Sequence, residues 1–543
     1  MFVPKKIHMI AEELGLEDDE YYPYGHYIGK VNWQVIERLK NRPKAKLILV
    51  TAMTPTASGE GKTTTTIGLG DAIYKLGKKV MICLREPSLG PIFGLKGGAV
   101  GGGKAKLFPE LDINLHFTGD IHAVSSAHNL LAAMIDNHIY QGNELRIDPL
   151  QVFWKRCIDM NDRQLRFIIT GLGGKSNGIP REDGFEITAA SEVMAILSLA
   201  KDLKDLRERL ANIIIGINDK GLPVFSRELK VHNAMTMLLK DALSPNLVQT
   251  LEGTPTFVHG GPFANIAHGC SSIIATTIAS SMSDYVVTEA GFGSDLGGEK
   301  FFDIKCRIGG FQPSVGVLVA SVKAIKLHGE GKSKDIEILD EGLKNLFHHI
   351  HILRDIFKVP VVVAINRFLT DTDRELNLIE KMIRDAGVRV AISEVYEKGA
   401  EGGIQLAKEV IEAISVDENS FSYLYSLDEP YEEKIDKIAK EVYGAKEVKF
   451  TNEAKQELNK VYKWGIEGLP VCMAKTQYSL SENAKMLGKP DDFSITVQKI
   501  KPSLGAGFLV AYTGNIITMP GLPKVPLATK IEIDEAGNVT GLV

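Results

Sequence analysis

Eight residues, Thr56-Ala57-Ser58-Gly59-Glu60-Gly61-Lys62-Thr63, join two glycines to a lysine and a hydroxyl in the order that phosphate chemistry needs. Gly59 and Gly61 let successive backbone N–H groups turn toward a polyphosphate. A helix starting at Lys62 would add unpaired N–H donors and its positive dipole end. Lys62 would then reach the terminal phosphates, and the Thr63 hydroxyl would hold magnesium. The usual first glycine of this pattern is Thr56 here, so the alternative is a glycine-rich strand-to-helix turn capped by Thr63. A second candidate is Arg85, which follows the apolar run Lys79–Leu84 and precedes glycine-rich residues 94–103. Its guanidinium can grip an oxyanion with two parallel hydrogen bonds, the alternative being an ion pair with Glu86. The glycine run predicts a mobile flap or a close approach of backbone to a ligand.

These groups need a scaffold, and the apolar runs supply one. Residues 44–53 read as a buried strand, 62–76 as a helix stopped by Gly77, and 79–84 as another buried strand. Strand, loop, helix and strand make a βαβ unit, whose strands are parallel. Further short apolar runs at 167–170, 213–217, 256–259, 285–288 and 315–319 alternate with helical stretches, which predicts a parallel sheet covered on both faces. A second α/β series spans 359–393, and a charge-rich helical stretch at 426–462 leads to short strands and turns from 469 onward. The fold class expected is α/β: a large phosphate-loop NTPase-like domain with a parallel sheet over 1–350, a smaller α/β domain over 351–448 and a C-terminal α+β domain over 449–543.

Composition excludes other classes. With 543 residues, 44% hydrophobic and 24% charged, the chain is neither disordered nor membrane-like. It has no apolar run of about 18 residues and no apolar signal core, so the cytoplasm is expected. Its 63 basic and 68 acidic residues give a net charge of −5, which offers no broad basic field for nucleic acid or an anionic membrane. Five dispersed cysteines read as buried thiols.

The runs Thr54–Thr66, Arg85–Pro91 and Asp112–Asp120 together resemble the formate–tetrahydrofolate ligase (10-formyltetrahydrofolate synthetase) family. The blocks Glu182–Phe185, Gln249–Pro255, His259–His268, Thr288–Gly293 and Met519–Pro523 extend the likeness over nearly the whole chain. The resemblance implies ATP, formate and tetrahydrofolate as substrates, Mg²⁺, a favourable monovalent cation, and a homotetramer. It implies that Lys62 and Arg85 contact the γ-phosphate and formyl phosphate. Asp120 matches an active-site acid that would position formate, the N10 amine or a cation; the equal alternative is a helix cap. Phe292 is implied as the adenine platform. Phe368 and Tyr396 match the two sides of a pterin stack, although Leu369 stands where family members carry proline and Tyr396 where they carry tryptophan.

Other signals are set aside. His348, His349 and His351 lack a further ligand and read as solvated or interface histidines. His268 and Cys270 read as core. The runner-up function is a switch ATPase of the deviant phosphate-loop type that acts on a protein partner, which would hydrolyse ATP without formate.

Overall fold

The computed structural model describes residues 3–96, 100–330, 335–514 and 516–542. Its centre is one long sheet whose main path is formed, in chain order, by β1 (Tyr21–Tyr24), β2 (Ile28–Val31), β3 (Lys46–Ala52), β4 (Val80–Leu84), β5 (Asn246–Thr250), β6 (Pro255–Val258), β7 (Tyr285–Glu289), β8 (Pro313–Ala320), β9 (Val361–Asn366) and β10 (Arg389–Ser393), with the short strands Gly101–Gly102 and Ala105–Phe108 attached beside β5. The spatial order is β1-β2-β5-β6-β4-β7-β3-β8-β9-β10. From β6 to β10 every neighbouring pair is parallel, while β1, β2 and β5 add an antiparallel edge. The architecture is therefore mixed α/β with a large, mainly parallel sheet.

Alternation along β3 shows how the sheet is held. Leu47 and Leu49 face one core, shared with helix Ile273–Met282, while Ile48, Val50 and Ala52 face the other, shared with the helix after the phosphate loop, α1 (Lys62–Lys75), and with helix Ile404–Val416. All five are buried, and each of the four larger aliphatic side chains contributes roughly 1.5–3 kcal/mol. A strand covered on both faces has no polar side, which is why β3, β4 and β9 read as continuous apolar runs.

The expected strand–helix–strand unit is present, with its strands parallel. They are not neighbours, however: β7 lies between β3 and β4 and pairs with both, Val287 opposite Ile48 on one side and Ile82 on the other. Two expected members of the sheet lie outside it. Ile168–Thr170 pairs antiparallel with Arg181–Asp183, and Ile169 is 63% exposed, which no strand covered on both faces permits. Ile214–Asn218 turns back at once through Asn218 to Leu222 and pairs antiparallel with Pro223–Phe225, as short connections dictate. The second α/β series continues the same sheet as β9 and β10, joined by a helix (Asp373–Asp385) with a Thr372–Glu375 capping box. Residue 350 falls within helix α2 (Asp335–His351), between strands of that one sheet.

The C-terminal portion carries a second, four-stranded sheet in the order Glu447–Phe450, Ser494–Ser503, Phe508–Thr513, Val471–Ala474. The five cysteines are free and buried. His348 and His349 are buried rather than solvated, because α2 packs that face inward. Among the described residues no helix is long and apolar enough to cross a membrane.

Candidate functional site

The loop between β3 and α1 stands at the C-terminal end of the parallel strands, where open α/β sheets receive their ligands. Ala57, Ser58 and Gly59 form its exposed crest, and Glu60 is buried beneath them. Glu60 ties the loop together: its carboxylate accepts the Thr56 N–H at 2.7 Å and the hydroxyl of Ser321. Ser58 Oγ lies 3.0 Å from Thr56 Oγ1 and accepts from Lys323 Nζ at 2.8 Å. Left-handed backbone occurs at Gly59 (φ 77°) and Gly61 (φ 74°) but not at Thr56. The first position therefore does not need glycine, which accounts for the departure from the usual pattern. At Gly61 the requirement is double, since a Cβ there would lie 2.3 Å from Asn366 Nδ2, the atom that donates to Glu60 O from the end of β9.

Gly61, not Thr63, occupies the cap position of α1. The Thr63 hydroxyl instead donates to Glu289 Oε2 at 2.8 Å. Glu289 ends β7, and its other oxygen lies 3.9 Å from Arg85 Nη2. Arg85 thus reaches Glu289 rather than Glu86, and its Nη1 donates to Pro262 O at 3.1 Å while Nε is buried with no hydrogen-bond partner among the described residues. Desolvation pushes the Lys62 ammonium below its ordinary value; Glu289 opposes that, Arg85 adds to it, and Glu60 opposes it. Lys62, Thr63, Arg85 and Glu289 consequently form one charged cluster over the ends of three adjacent strands. Lys62 and Arg85 flank Glu289, while the Glu60 carboxylate is already engaged by Thr56 and Ser321, which leaves room for an anionic ligand.

Asp120 is the first residue of the helix Asp120–Tyr140, whose cap position is Gly119 at φ 91°. The cap alternative is thereby excluded. Its carboxylate lies 2.8 Å from Lys30 Nζ and accepts from Asn246 Nδ2 at 2.8 Å, with both charged side chains almost fully buried. Beside it, burial first and Asp120 second hold the Glu86 carboxyl well above the usual range. Burial likewise pushes His259 down to about 4, against the opposing charge of Asp120. Asp120 therefore stands on the Glu86 side of the site with its charge already compensated.

Phe292 lies just beyond Glu289 and holds a left-handed backbone (φ 60°). An aromatic residue in that region is strained, and such strain gathers at ligand-binding loops. The loop runs against the Arg85 guanidinium, whose Nη1 would be 3.2 Å from a Cβ at Gly291. Phe368 and Tyr396 follow the paired ends of β9 and β10, where Asn366 is opposite Ser393. At 37% and 49% exposure neither ring is core, and Leu369 is 84% exposed. Arg367 links the two loops through Glu394 at 3.3 Å. Of the glycine-rich run, Gly101–Gly103 makes a close approach: Lys104 N donates to Tyr396 O at 2.8 Å, and a Cβ at Gly103 would come 2.0 Å from that oxygen. The part of the run at residues 97–99 lies outside the described residues.

The sequence reading assigned no role to Glu289 or Asn366. The signal for Glu289, an acid closing an apolar run, was present, but its meaning depends on β7 lying between β3 and β4. Among the described residues no three His, Cys, Asp or Glu side chains converge as a metal cluster. Hard oxygen donors from Thr63 and Glu289 suit Mg²⁺, which takes only one or two protein groups and keeps phosphate and water for the rest. The family model described as formate–tetrahydrofolate ligase matches residues 2–543. With essentially its full length matched, the chain belongs to the formate–tetrahydrofolate ligase family and is an enzyme of that kind.

Proposed function

We propose that this enzyme ligates formate to tetrahydrofolate at the expense of ATP, giving 10-formyltetrahydrofolate, ADP and phosphate through formyl phosphate. The observation that carries the reading is the convergence of Lys62, Thr63, Arg85 and Glu289 over the ends of β3, β4 and β7. Backbone N–H groups of residues 56–63 cradle the polyphosphate, and Phe292 supports adenine. The Thr63 hydroxyl and the Glu289 carboxylate would hold Mg²⁺, which would supply charge neutralisation for the polyphosphate. A formate oxygen attacks the γ-phosphorus in line with the leaving ADP oxygen, and Lys62 and Arg85 stabilise the charge on the transferring group. Arg85 then retains formyl phosphate. N10 of tetrahydrofolate, its pterin between Phe368 and Tyr396 with Leu369 at the edge, attacks the formyl carbon. Phosphate departs with the electron pair of the broken C–O bond and takes up the proton that N10 gives up. Asp120 with its Lys30 partner supports this side of the cavity. Assembly into a homotetramer in the cytoplasm and activation by a monovalent cation complete the reading.

The test is formation of 10-formyltetrahydrofolate, detected as methenyl absorbance after acid conversion, with ATP, Mg²⁺, formate and tetrahydrofolate omitted in turn. Product requiring all four is expected. ADP release indifferent to formate, with no methenyl signal, overturns the reading in favour of a switch ATPase. For the pterin pocket, Phe368→Ala is expected to raise KM for tetrahydrofolate about tenfold, the worth of one aromatic stack. KM for ATP should stay put, and so should the melting temperature, since the ring is partly exposed. An unchanged tetrahydrofolate KM would remove Phe368 from the pocket.

A further inference from the structure

Thr54, the residue that opens the phosphate loop, is held on every polar atom by residues far away in sequence. Its N–H donates to Asn345 Oδ1 at 3.3 Å, and its carbonyl lies 2.9 Å from His328 Nε2. His328 Nδ1 accepts the Gly488 N–H at 3.0 Å, so the proton of this ring is on Nε2 and points at Thr54 O. Asn345 Nδ2 donates both to Thr54 Oγ1 at 3.0 Å and to Gly488 O at 2.7 Å.

The remaining partner of Thr54 Oγ1 is His349 Nε2, at 3.0 Å. The His349 ring thus bridges two hydroxyls, Nε2 to Thr54 and Nδ1 to Ser294 Oγ, 2.7 Å away, one ring nitrogen donating and the other accepting. Burial pushes the ring down to about 3, which keeps it neutral. Ser294 lies two residues beyond Phe292, and its neighbour Asp295 is bonded to Lys475 at 3.3 Å. His349 itself is fully buried and has no place in the chemistry proposed above.

We propose that His349 is a positioning residue that fixes the distance between the phosphate loop and the loop carrying Phe292, and so sets affinity for a ligand that spans both, a nucleoside polyphosphate, without touching it. The proposal rests on the ATP reading and on Phe292 as the base platform. Two rigid half-sites held at the right spacing bind a spanning ligand more tightly than the same half-sites uncoupled. A ligand that uses only the phosphate loop gains nothing from the bridge, because Thr54 keeps Asn345 and His328.

Calorimetric titration of the full chain with MgADP and with magnesium tripolyphosphate separates these cases. Ser294→Ala cuts the bridge at one end. His349→Asn keeps a donor near Ser294 and loses Thr54, cutting the other end. Each is expected to weaken MgADP about tenfold while tripolyphosphate affinity stays within about twofold. His349→Gln, which retains reach toward Thr54, should match His349→Asn, because either break removes the tie between Thr54 and Ser294, leaving only the Thr63–Glu289 bond and the β3–β7 ladder between the loops. Equal weakening of both ligands makes His349 a mere prop of the phosphate loop and overturns the proposal, as does unchanged MgADP affinity. Failure of the unaltered chain to bind MgADP would instead defeat the nucleotide reading on which the proposal rests.

Discussion

Exchange of Lys62 for alanine lowers kcat for ligation by about 10²–10³-fold while leaving the fold intact. Lys62 is the first residue of α1, and the charges that act on its ammonium are those of Glu289, Arg85 and Glu60. The backbone donors of the loop and the Thr63–Glu289 pair survive its removal, so KM for ATP changes far less than kcat. On the proposed mechanism, what is lost is a fixed charge aimed at the γ-phosphoryl oxygens, worth most when their charge is redistributing. The reduced ammonium basicity caused by desolvation makes the site a poor host for an uncompensated cation, and a bound polyphosphate relieves that. Steady-state kinetics with ATP varied at saturating formate and tetrahydrofolate read the split. A kcat within threefold of the unaltered enzyme would transfer the role to Arg85.

The second large effect is on stability. Asp120→Ala strips the partner from Lys30 inside the protein, where both side chains are nearly inaccessible. An ammonium left buried without its counter-ion costs about 3–5 kcal/mol, far more than the intact pair contributes over an apolar substitute. Lys30 keeps its bond to Ser244 O at 2.8 Å, and Asn246 keeps Val258 O, so the damage is chiefly the unpaired charge. Chemical denaturation should show the loss for Asp120→Ala and most of its recovery in Lys30→Met/Asp120→Ala. Ligase assays on the double variant then part the two roles of the acid. Restored stability with activity still absent supports contact with substrate, and restoration of both makes Asp120 a structural partner of Lys30.

Legibility in the sequence followed the distance over which each feature is decided. The phosphate loop is local: its glycines, Lys62 and the flanking strand and helix lie within thirty or so residues, and the structure has them as expected. Continuous apolar runs announced β3, β4, β7, β8 and β9, because double coverage removes polar alternation. Strand order was not legible, since nothing in residues 285–289 says that they enter between β3 and β4. Glu289 was overlooked for the same reason. Asp120 was recognisable as an acid at a helix start, but its partner Lys30 lies 90 residues away in the chain. His349 drew attention as part of a metal-like triplet, whereas its actual partners, Thr54 and Ser294, carry no signal that links them to it. Phe368 and Tyr396 were legible only through resemblance, and their half-exposed rings agree with a ligand-facing role.

The insertion of β7 between β3 and β4 also constrains how the chain is made. A ribosome releases β3, the phosphate loop, α1 and β4 early, yet the strand that joins β3 to β4 arrives only with residues 285–289. At about 5–20 residues per second, two open strand edges flank the newborn loop for roughly ten to fifty seconds. During that interval the apolar faces of β3 and β4 lack their middle neighbour, and the nascent chain is a client for whatever shields unpaired edges in the cell. The loop between β3 and α1 is therefore synthesised early, and the strand that closes the sheet beneath it follows only after about two hundred further residues.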